Sequence, residues 1–134
     1  MITEDYVSFE IAKLLKEKGF DENCSRSYVK DKLAVSQGFN NSYYTTMYSD
    51  ASYRPVSAPT LQMAMKWLRE KHGLHCYSDY DFVLGWYCEI TSLKETVEYD
   101  YEEMRHYHPE KDNGFSSPEE AYETAIKYCL ENLI

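Results

Sequence analysis

The residues of this chain that could do chemistry are mainly histidines and cysteines near its middle. His72, His75 and Cys76 lie around the end of a predicted helix, and His106 and His108 lie further along. Imidazole and thiolate groups are zinc ligands when four of them converge tetrahedrally. Their spacing matches no known zinc pattern, and neighbours on a strand, such as His75 and Cys76, point to opposite faces. We therefore predict no metal site and no cofactor, and these five residues are the candidates for an alternative, a small metal-dependent enzyme or hydrolase.

Carboxylates are plentiful but are not arranged for catalysis. Asp79 and Asp81 lie in a predicted turn, and Glu98 and Asp100 lie on one solvent face of a predicted strand. General acid–base catalysis needs two carboxylates in different environments across a cleft. The chain also lacks a phosphate-binding loop and a nucleophile-elbow motif. We therefore predict no catalytic residue.

Charge is distributed unevenly along the 134 residues, whose net charge is −9. Residues 1–73 carry 10 basic and 9 acidic side chains, whereas residues 74–134 carry 4 basic and 14 acidic ones. Binding to a phosphate backbone uses clustered Lys and Arg, so we expect no direct nucleic-acid binding. An acidic surface attracts a basic partner instead.

Tyrosine is unusually abundant, with 14 residues. Three helices could not cover all of these side chains, so some should be exposed on the sheet or its loops. Aromatic side chains that stay exposed are typical of contact surfaces. We therefore expect a non-enzymatic protein-binding module with an acidic, tyrosine-rich surface. One form of such a module is a mimic of nucleic-acid charge. The candidate surface residues are Tyr77, Tyr80, Tyr87, Glu89, Glu98 and Asp100.

Three helices are predicted to support this surface. The first covers residues 4–18, with Thr3 as its cap, Gly19 at its end and Phe20 folding back on Leu15. The second has Pro59 in its first turn and ends at Gly73. Its predicted buried stripe comprises Leu61, Met63, Ala64, Met65, Trp67 and Leu68.

The last helix begins with a capping box and runs to the end of the chain. Ser117 is the cap, Pro118 takes the first position, and Glu120 follows three residues after the cap. Apolar residues at helical spacing define its buried side. That stripe comprises Ala121, Tyr122, Ala125, Ile126, Cys129 and Leu133.

Alternating patterns predict the strands. Residues 27–33 and 42–48 are expected to form a hairpin, with residues 49–57 as a loop. Residues 74–78, 82–91 and 96–101 are expected to form an antiparallel meander, in which every second side chain from Phe82 points at a core.

Together these elements predict an α+β fold with three helices packed on one face of a small, mainly antiparallel sheet. The length fits one globular domain over residues 1–134. An open sheet edge would also allow a homodimer. No stretch approaches the ~20 apolar residues of a membrane span, residues 1–5 lack the positively charged and apolar regions typical of a signal peptide, and the four cysteines are widely spaced, so we expect a cytoplasmic protein.

Three segments carry a family resemblance. They are residues 9–21 (FEIAKLLKEKGFD), residues 58–70 (APTLQMAMKWLRE), and residues 119–121 with 125–130. The chain resembles a group of small uncharacterised proteins of gut Bacteroides and their phages or integrated elements. The resemblance implies a phage or mobile-element origin and supplies no function and no site residues.

Overall fold

The computed structural model describes residues 1–35, 54–93, 106–107, 109 and 114–134. The chain divides into two compact units, Met1–Met63 and Ala64–Ile134. The described residues form three α-helices and two antiparallel three-stranded sheets. The predicted α+β class is therefore confirmed, with the strands divided between two sheets. The single domain over residues 1–134 stays a prediction.

Helix α1 spans Phe9–Glu17 and begins later than its apolar pattern predicts. The backbone before it is extended, and the Val7 N–H donates to the Pro59 carbonyl at 3.0 Å. Ser8, rather than Thr3, caps the helix, because its hydroxyl accepts a backbone N–H of the first turn at 3.2 Å. The predicted start at residue 4 is wrong because this pairing holds the preceding backbone out of the helix.

The end of α1 confirms the predicted glycine stop. Gly19 adopts a φ of 91°, in the left-handed region that favours glycine. The Gly19 N–H then donates to the Lys16 carbonyl at 3.1 Å, and the Phe20 N–H donates to the Leu15 carbonyl at 2.9 Å. This pair of bonds is a Schellman motif, which satisfies the last carbonyls of the helix and brings the fully buried Phe20 back to the core of the first unit.

The first sheet has the order β2-β1-β3, formed by β1 (Arg26–Val29), β2 (Lys32–Val35) and β3 (Val56–Ser57). The predicted strand over residues 27–33 is wrong because the chain turns inside it, at Lys30, whose φ is 61°. Its predicted partner, residues 42–48, lies outside the described residues. The loop predicted for residues 49–57 is wrong at β3, which pairs with β1.

Helix α2 spans Leu61–His72 and ends at Gly73, as predicted. Pro59 does not occupy its first turn, because Thr60 lies directly before the helix and its hydroxyl accepts the Met63 N–H at 3.2 Å. Met63 is exposed, which corrects its place in the predicted stripe. The buried residues of α2 are Leu61, Ala64, Trp67 and Leu68.

The second sheet has the order β4-β5-β6, formed by β4 (Leu74–Asp81), β5 (Gly85–Ser92) and β6 (His106–Tyr107). The predicted strand over residues 82–91 is confirmed from Gly85 onward and is wrong at residues 82–84, which form the turn between β4 and β5. The strand predicted at residues 96–101 lies outside the described residues.

Helix α3 spans Pro118–Tyr128 and continues as a π-helical turn over Cys129–Leu133. The predicted cap is confirmed, since the Ser117 hydroxyl accepts the Glu120 N–H at 3.1 Å. Leu130 is buried, whereas Leu133 is only half-buried. A π-helix turns less per residue than an α-helix, so four residues after Cys129 no longer return to the same face.

The core of the second unit lies between α3 and the two long strands. Helix α3 packs against both β4 and β5. Its small residues Ala121 and Ala125 are fully buried and allow the helix to approach the sheet closely. Within residues 1–35, 54–93 and 114–134, no helix is long and apolar enough to cross a membrane.

We expect Gly19→Ala to lower the free energy of unfolding by about 1 to 2 kcal/mol, the cost of placing a side chain in the left-handed region. No atom lies within 4 Å of the position that the new methyl group would take, so backbone strain alone sets the effect. Urea unfolding followed by circular dichroism measures it. Glu17→Ala, at an exposed position of the same helix, is the control and should change the value by less than about 0.5 kcal/mol. Equal stabilities of the two variants would contradict the Schellman motif.

Candidate binding surface

The register of the β4–β5 hairpin separates its side chains onto two faces. Cys76 pairs with Ile90, and Ser78 pairs with Cys88, on the side that packs against α3. The alternate residues lie on the other side, which we call the outer face. The outer face comprises His75, Tyr77 and Asp79 of β4 with Tyr87, Glu89 and Thr91 of β5.

Aromatic rings and carboxylates alternate across the outer face. Tyr77 lies opposite Glu89, and Asp79 lies opposite Tyr87, as directly paired residues of an antiparallel ladder. The His75 and Tyr77 rings stack along β4, with centroids 5.6 Å apart and an interplanar angle of 23°. The structure therefore brings together three of the predicted surface residues, Tyr77, Tyr87 and Glu89, all of which are half-buried.

The other predicted surface residues are placed differently. Tyr80 lies on the opposite side of the hairpin from the outer face, where it pairs with Trp86. Their ring centroids are 5.1 Å apart in an edge-to-face arrangement, and Tyr80 remains 56% exposed. Glu98 and Asp100 lie outside the described residues.

The turn between β4 and β5 carries three consecutive exposed apolar side chains, which we call the tip. Phe82 is 95% exposed, Val83 86% and Leu84 65%. The alternating pattern had predicted that Phe82 and Leu84 point into a core, and that prediction is wrong. The sequence did contain a signal for a turn, because the turn-forming residues Asp81 and Gly85 flank this segment. Such a pair is stronger evidence for a turn than three alternating residues are for a strand.

The Asp81 carboxylate holds the tip in one conformation. Its Oδ1 atom accepts the Val83 N–H at 2.7 Å and the Leu84 N–H at 2.8 Å. The hydrogen bond from Leu84, followed by that from Val83, lowers the pKa of the Asp81 carboxyl below its ordinary value. Gly85, with a φ of 83°, then returns the chain into β5. The tip is therefore built around a charged side chain on the surface.

A second segment supports the tip from the side. Gly114 adopts a φ of 76°, and a methyl group at this position would overlap the Leu84 carbonyl oxygen. The next residue, the buried Phe115, donates its N–H to the Trp86 carbonyl at 2.9 Å. Only glycine can approach the turn this closely, so the tip rests on backbone rather than on a mobile side chain.

The predicted metal-ligand candidates have separate surroundings. The His72 ring lies edge-on to Trp67, with centroids 4.8 Å apart, and His75 stacks on Tyr77. Cys76 is buried on the opposite side of the hairpin from His75. His106 is in β6, opposite Thr91, and His108 lies outside the described residues. In the part of the chain that the structure describes, no group of three or more His, Cys, Asp or Glu side chains is arranged to hold a metal ion.

A group of buried thiols lies on the inner side of the hairpin. The Cys76 and Cys129 sulfur atoms are 3.6 Å apart, and the Cys88 thiol donates to the Pro109 carbonyl at 3.6 Å. Burial, with a smaller effect from the neighbouring Cys76, raises the pKa of Cys88 to about 11. The hydrogen bond with Cys76, followed by burial, raises the pKa of Cys129. Cys88 and Cys129 are therefore protonated at neutral pH and act as small apolar side chains in the core.

Comparison with known proteins supplies no further assignment. No protein-family model matches the chain, and no curated protein or solved structure is similar enough to count as a match. Function is therefore inferred from the geometry of the residues themselves.

We expect the order of the tip to depend on the ionisation of Asp81. Its pKa is depressed because the ionised form accepts two hydrogen bonds, so these bonds are fully formed above the ordinary aspartate pKa and weaken as pH falls through the depressed value. The Val83 and Leu84 amide proton shifts in NMR spectra should titrate below the ordinary aspartate value. The titration should persist in Asp79→Asn and disappear in Asp81→Asn. A titration at the ordinary value would contradict the two bonds.

We also expect the four cysteines to resist thiol reagents in the folded protein. All four are buried and form no disulfide, and the pKa of Cys24 is raised to about 11, mainly by burial and then by Glu22. At about pH 8 an aromatic disulfide reagent should react with the native protein far more slowly than with protein unfolded in guanidinium, because the reactive species is the thiolate. Rapid reaction of any native thiol would show that the core opens readily.

Proposed function

We propose that this chain is a non-enzymatic protein-binding module whose contact surface is the outer face of the β4–β5 hairpin. The observation that carries the proposal is the pairing of Tyr77 with Glu89 and of Asp79 with Tyr87, which places rings and carboxylates side by side. Residues 74–92 contain three acidic side chains and no Lys or Arg. A partner surface of opposite charge is the complement of such a face.

Tyrosine and carboxylate side chains suit this role for different physical reasons. A tyrosine ring covers a large area with little conformational entropy to lose, and its hydroxyl remains available for hydrogen bonding. Carboxylates on the same face increase the rate of encounter with a basic partner and reject acidic ones. The outer face therefore combines contact area with charge selection.

The alternative of a metal-dependent enzyme or hydrolase has no specific observation in its favour. The His72 ring contacts Trp67 and the His75 ring contacts Tyr77. The Cys76 thiol contacts the Cys129 thiol. A nucleophilic cysteine needs a base beside it and a lowered pKa. The raised pKa values of Cys88 and Cys129 lie in the opposite direction.

Two further parts of the proposal concern the partner and the origin of the chain. Residues 74–134 carry 14 acidic and 4 basic side chains, which supports mimicry of nucleic-acid charge as one form of binding. Such a module would bind to the basic site of a protein that normally binds DNA or RNA. We also propose a phage or mobile-element origin and a cytoplasmic location, the latter supported by four unbridged cysteines.

The proposal is tested by capture from a Bacteroides lysate on the immobilised chain. Proteins bound at about 0.05 M salt should be released at about 0.5 M, because the screening length shortens severalfold. The double variant Asp79→Asn and Glu89→Gln should capture less, while Glu17→Gln with Asp31→Asn, which removes the same charge from exposed positions outside the hairpin, should capture as much as wild type.

Elution with duplex DNA tests the mimicry form separately. A captured protein that normally binds nucleic acid should be displaced by the DNA, because both ligands would occupy one basic site. Equal capture by the two double variants, or no salt-sensitive capture at all, would contradict the proposed binding face. Capture that resists DNA would leave the binding face in place and remove the mimicry.

A further inference from the structure

The tip contains the largest exposed apolar group in the described second unit, and charge alone does not account for it. Its three side chains are consecutive and extend from the end of a long hairpin. Scattered exposed apolar residues are ordinary on protein surfaces, whereas a contiguous group on a fixed turn is typical of a contact site. A nucleic-acid mimic needs acidic groups and no apolar projection.

Several contacts fix the tip before any partner arrives. Asp81 holds the Val83 and Leu84 N–H groups, and Gly114 packs against the Leu84 carbonyl. A preformed projection loses little conformational entropy on binding, so more of the contact free energy appears as affinity. The Val83 and Leu84 N–H groups are also already paired, which removes part of the desolvation cost on burial.

The surroundings of the tip define the chemistry of its partner. Asp79 and Asp81 lie just before it and Glu89 lies further along β5, with no Lys or Arg between residues 74 and 92. Anionic lipid headgroups and a second copy of this chain, with its net charge of −9, would both be repelled. A protein pocket with apolar walls and a rim of Lys or Arg complements both the side chains and the charge.

We propose that the tip inserts Phe82, Val83 and Leu84 into an apolar pocket of a partner protein, and that Asp79 and Asp81 contact basic residues at the rim of that pocket. This inference rests on the proposed binding function and identifies the side chains that insert into the partner. The outer face supplies the surrounding contact, and the tip supplies the few side chains on which the affinity depends.

Site-specific photo-crosslinking tests the placement. Phe82→p-benzoylphenylalanine in the full chain should form a crosslink to a protein in the lysate on irradiation. The control is Leu93→p-benzoylphenylalanine, because Leu93 is 51% exposed and lies at the other end of the hairpin, where its N–H bonds to the Gly73 carbonyl. Crosslinking should be much weaker at Leu93. The crosslinked peptide of the partner should contain apolar residues flanked by Lys or Arg.

Binding to that partner, once it is purified, gives the quantitative test. Phe82→Ser should weaken binding by about 10-fold or more, and the triple variant Phe82→Ser, Val83→Ser, Leu84→Ser by about 100-fold. Leu93→Ser should stay within about twofold of wild type, since it removes a comparable apolar side chain elsewhere. Unchanged circular dichroism and thermal unfolding of the variants establish that the hairpin is intact.

The remaining outcomes each contradict a different part of the two proposals. Affinity for the captured protein that is insensitive to the tip would overturn this inference and leave the proposed binding function standing. No captured protein would overturn both. Tip-dependent binding to vesicles of phosphatidylcholine and phosphatidylglycerol would overturn the protein pocket in favour of a membrane, and a crosslink between two copies of the chain would overturn it in favour of self-association.

Discussion

The two hydrogen bonds that Asp81 accepts from Val83 and Leu84 determine much of what the second unit presents to its surroundings. A β-hairpin takes its register from its turn, and a slip of one residue moves every side chain of a strand to the other face. In the observed register Cys88 and Ile90 are buried, while Tyr87 and Glu89 lie on the outer face. The turn that this carboxylate stabilises therefore fits the register on which the core, the candidate surface and the exposure of the tip all depend.

The packing on the inner side of the hairpin also favours this register. Cys76, Cys88 and Cys129 are buried with Ile90 and Leu130, so a slipped strand would bring Tyr87 or Glu89 into this space. Burying a carboxylate without a partner costs far more free energy than a turn hydrogen bond supplies. The turn and the core favour the same register, and this agreement between local and distant interactions is what gives one well-defined structure.

Sequence patterns predict the helices well where their ends are marked by specific residues. Gly19, Gly73 and Ser117 all act as predicted, because caps and glycine stops depend on local geometry. The start of α1 fails because Val7 pairs with a segment some fifty residues away, a contact that helical periodicity does not contain. The predicted strand over residues 27–33 fails at its middle, since Lys30 adopts a positive φ that non-glycine residues rarely take and the chain turns there.

The candidate surface was predictable in part. Tyr77, Tyr87 and Glu89 follow from strand alternation, because side chains two residues apart share a face. The tip was missed since Phe82, Val83 and Leu84 look like the beginning of a buried strand, and their exposure depends on the side-chain bonds of Asp81 and the close approach of Gly114. Apolar residues in a turn contradict the usual composition rule, and such local exceptions are expected where a protein makes contact with something else.

Cross-strand nuclear Overhauser effects in the wild-type protein report the register of the β4–β5 hairpin, on which the candidate surface depends. We predict contacts that match the pairs Tyr77–Glu89 and Asp79–Tyr87, together with strong line broadening of Phe82 and Val83 by a soluble paramagnetic agent. Contacts shifted by one residue, or a protected Phe82 side chain within a continuous strand, would contradict both the fold of the hairpin and the binding surface built on it.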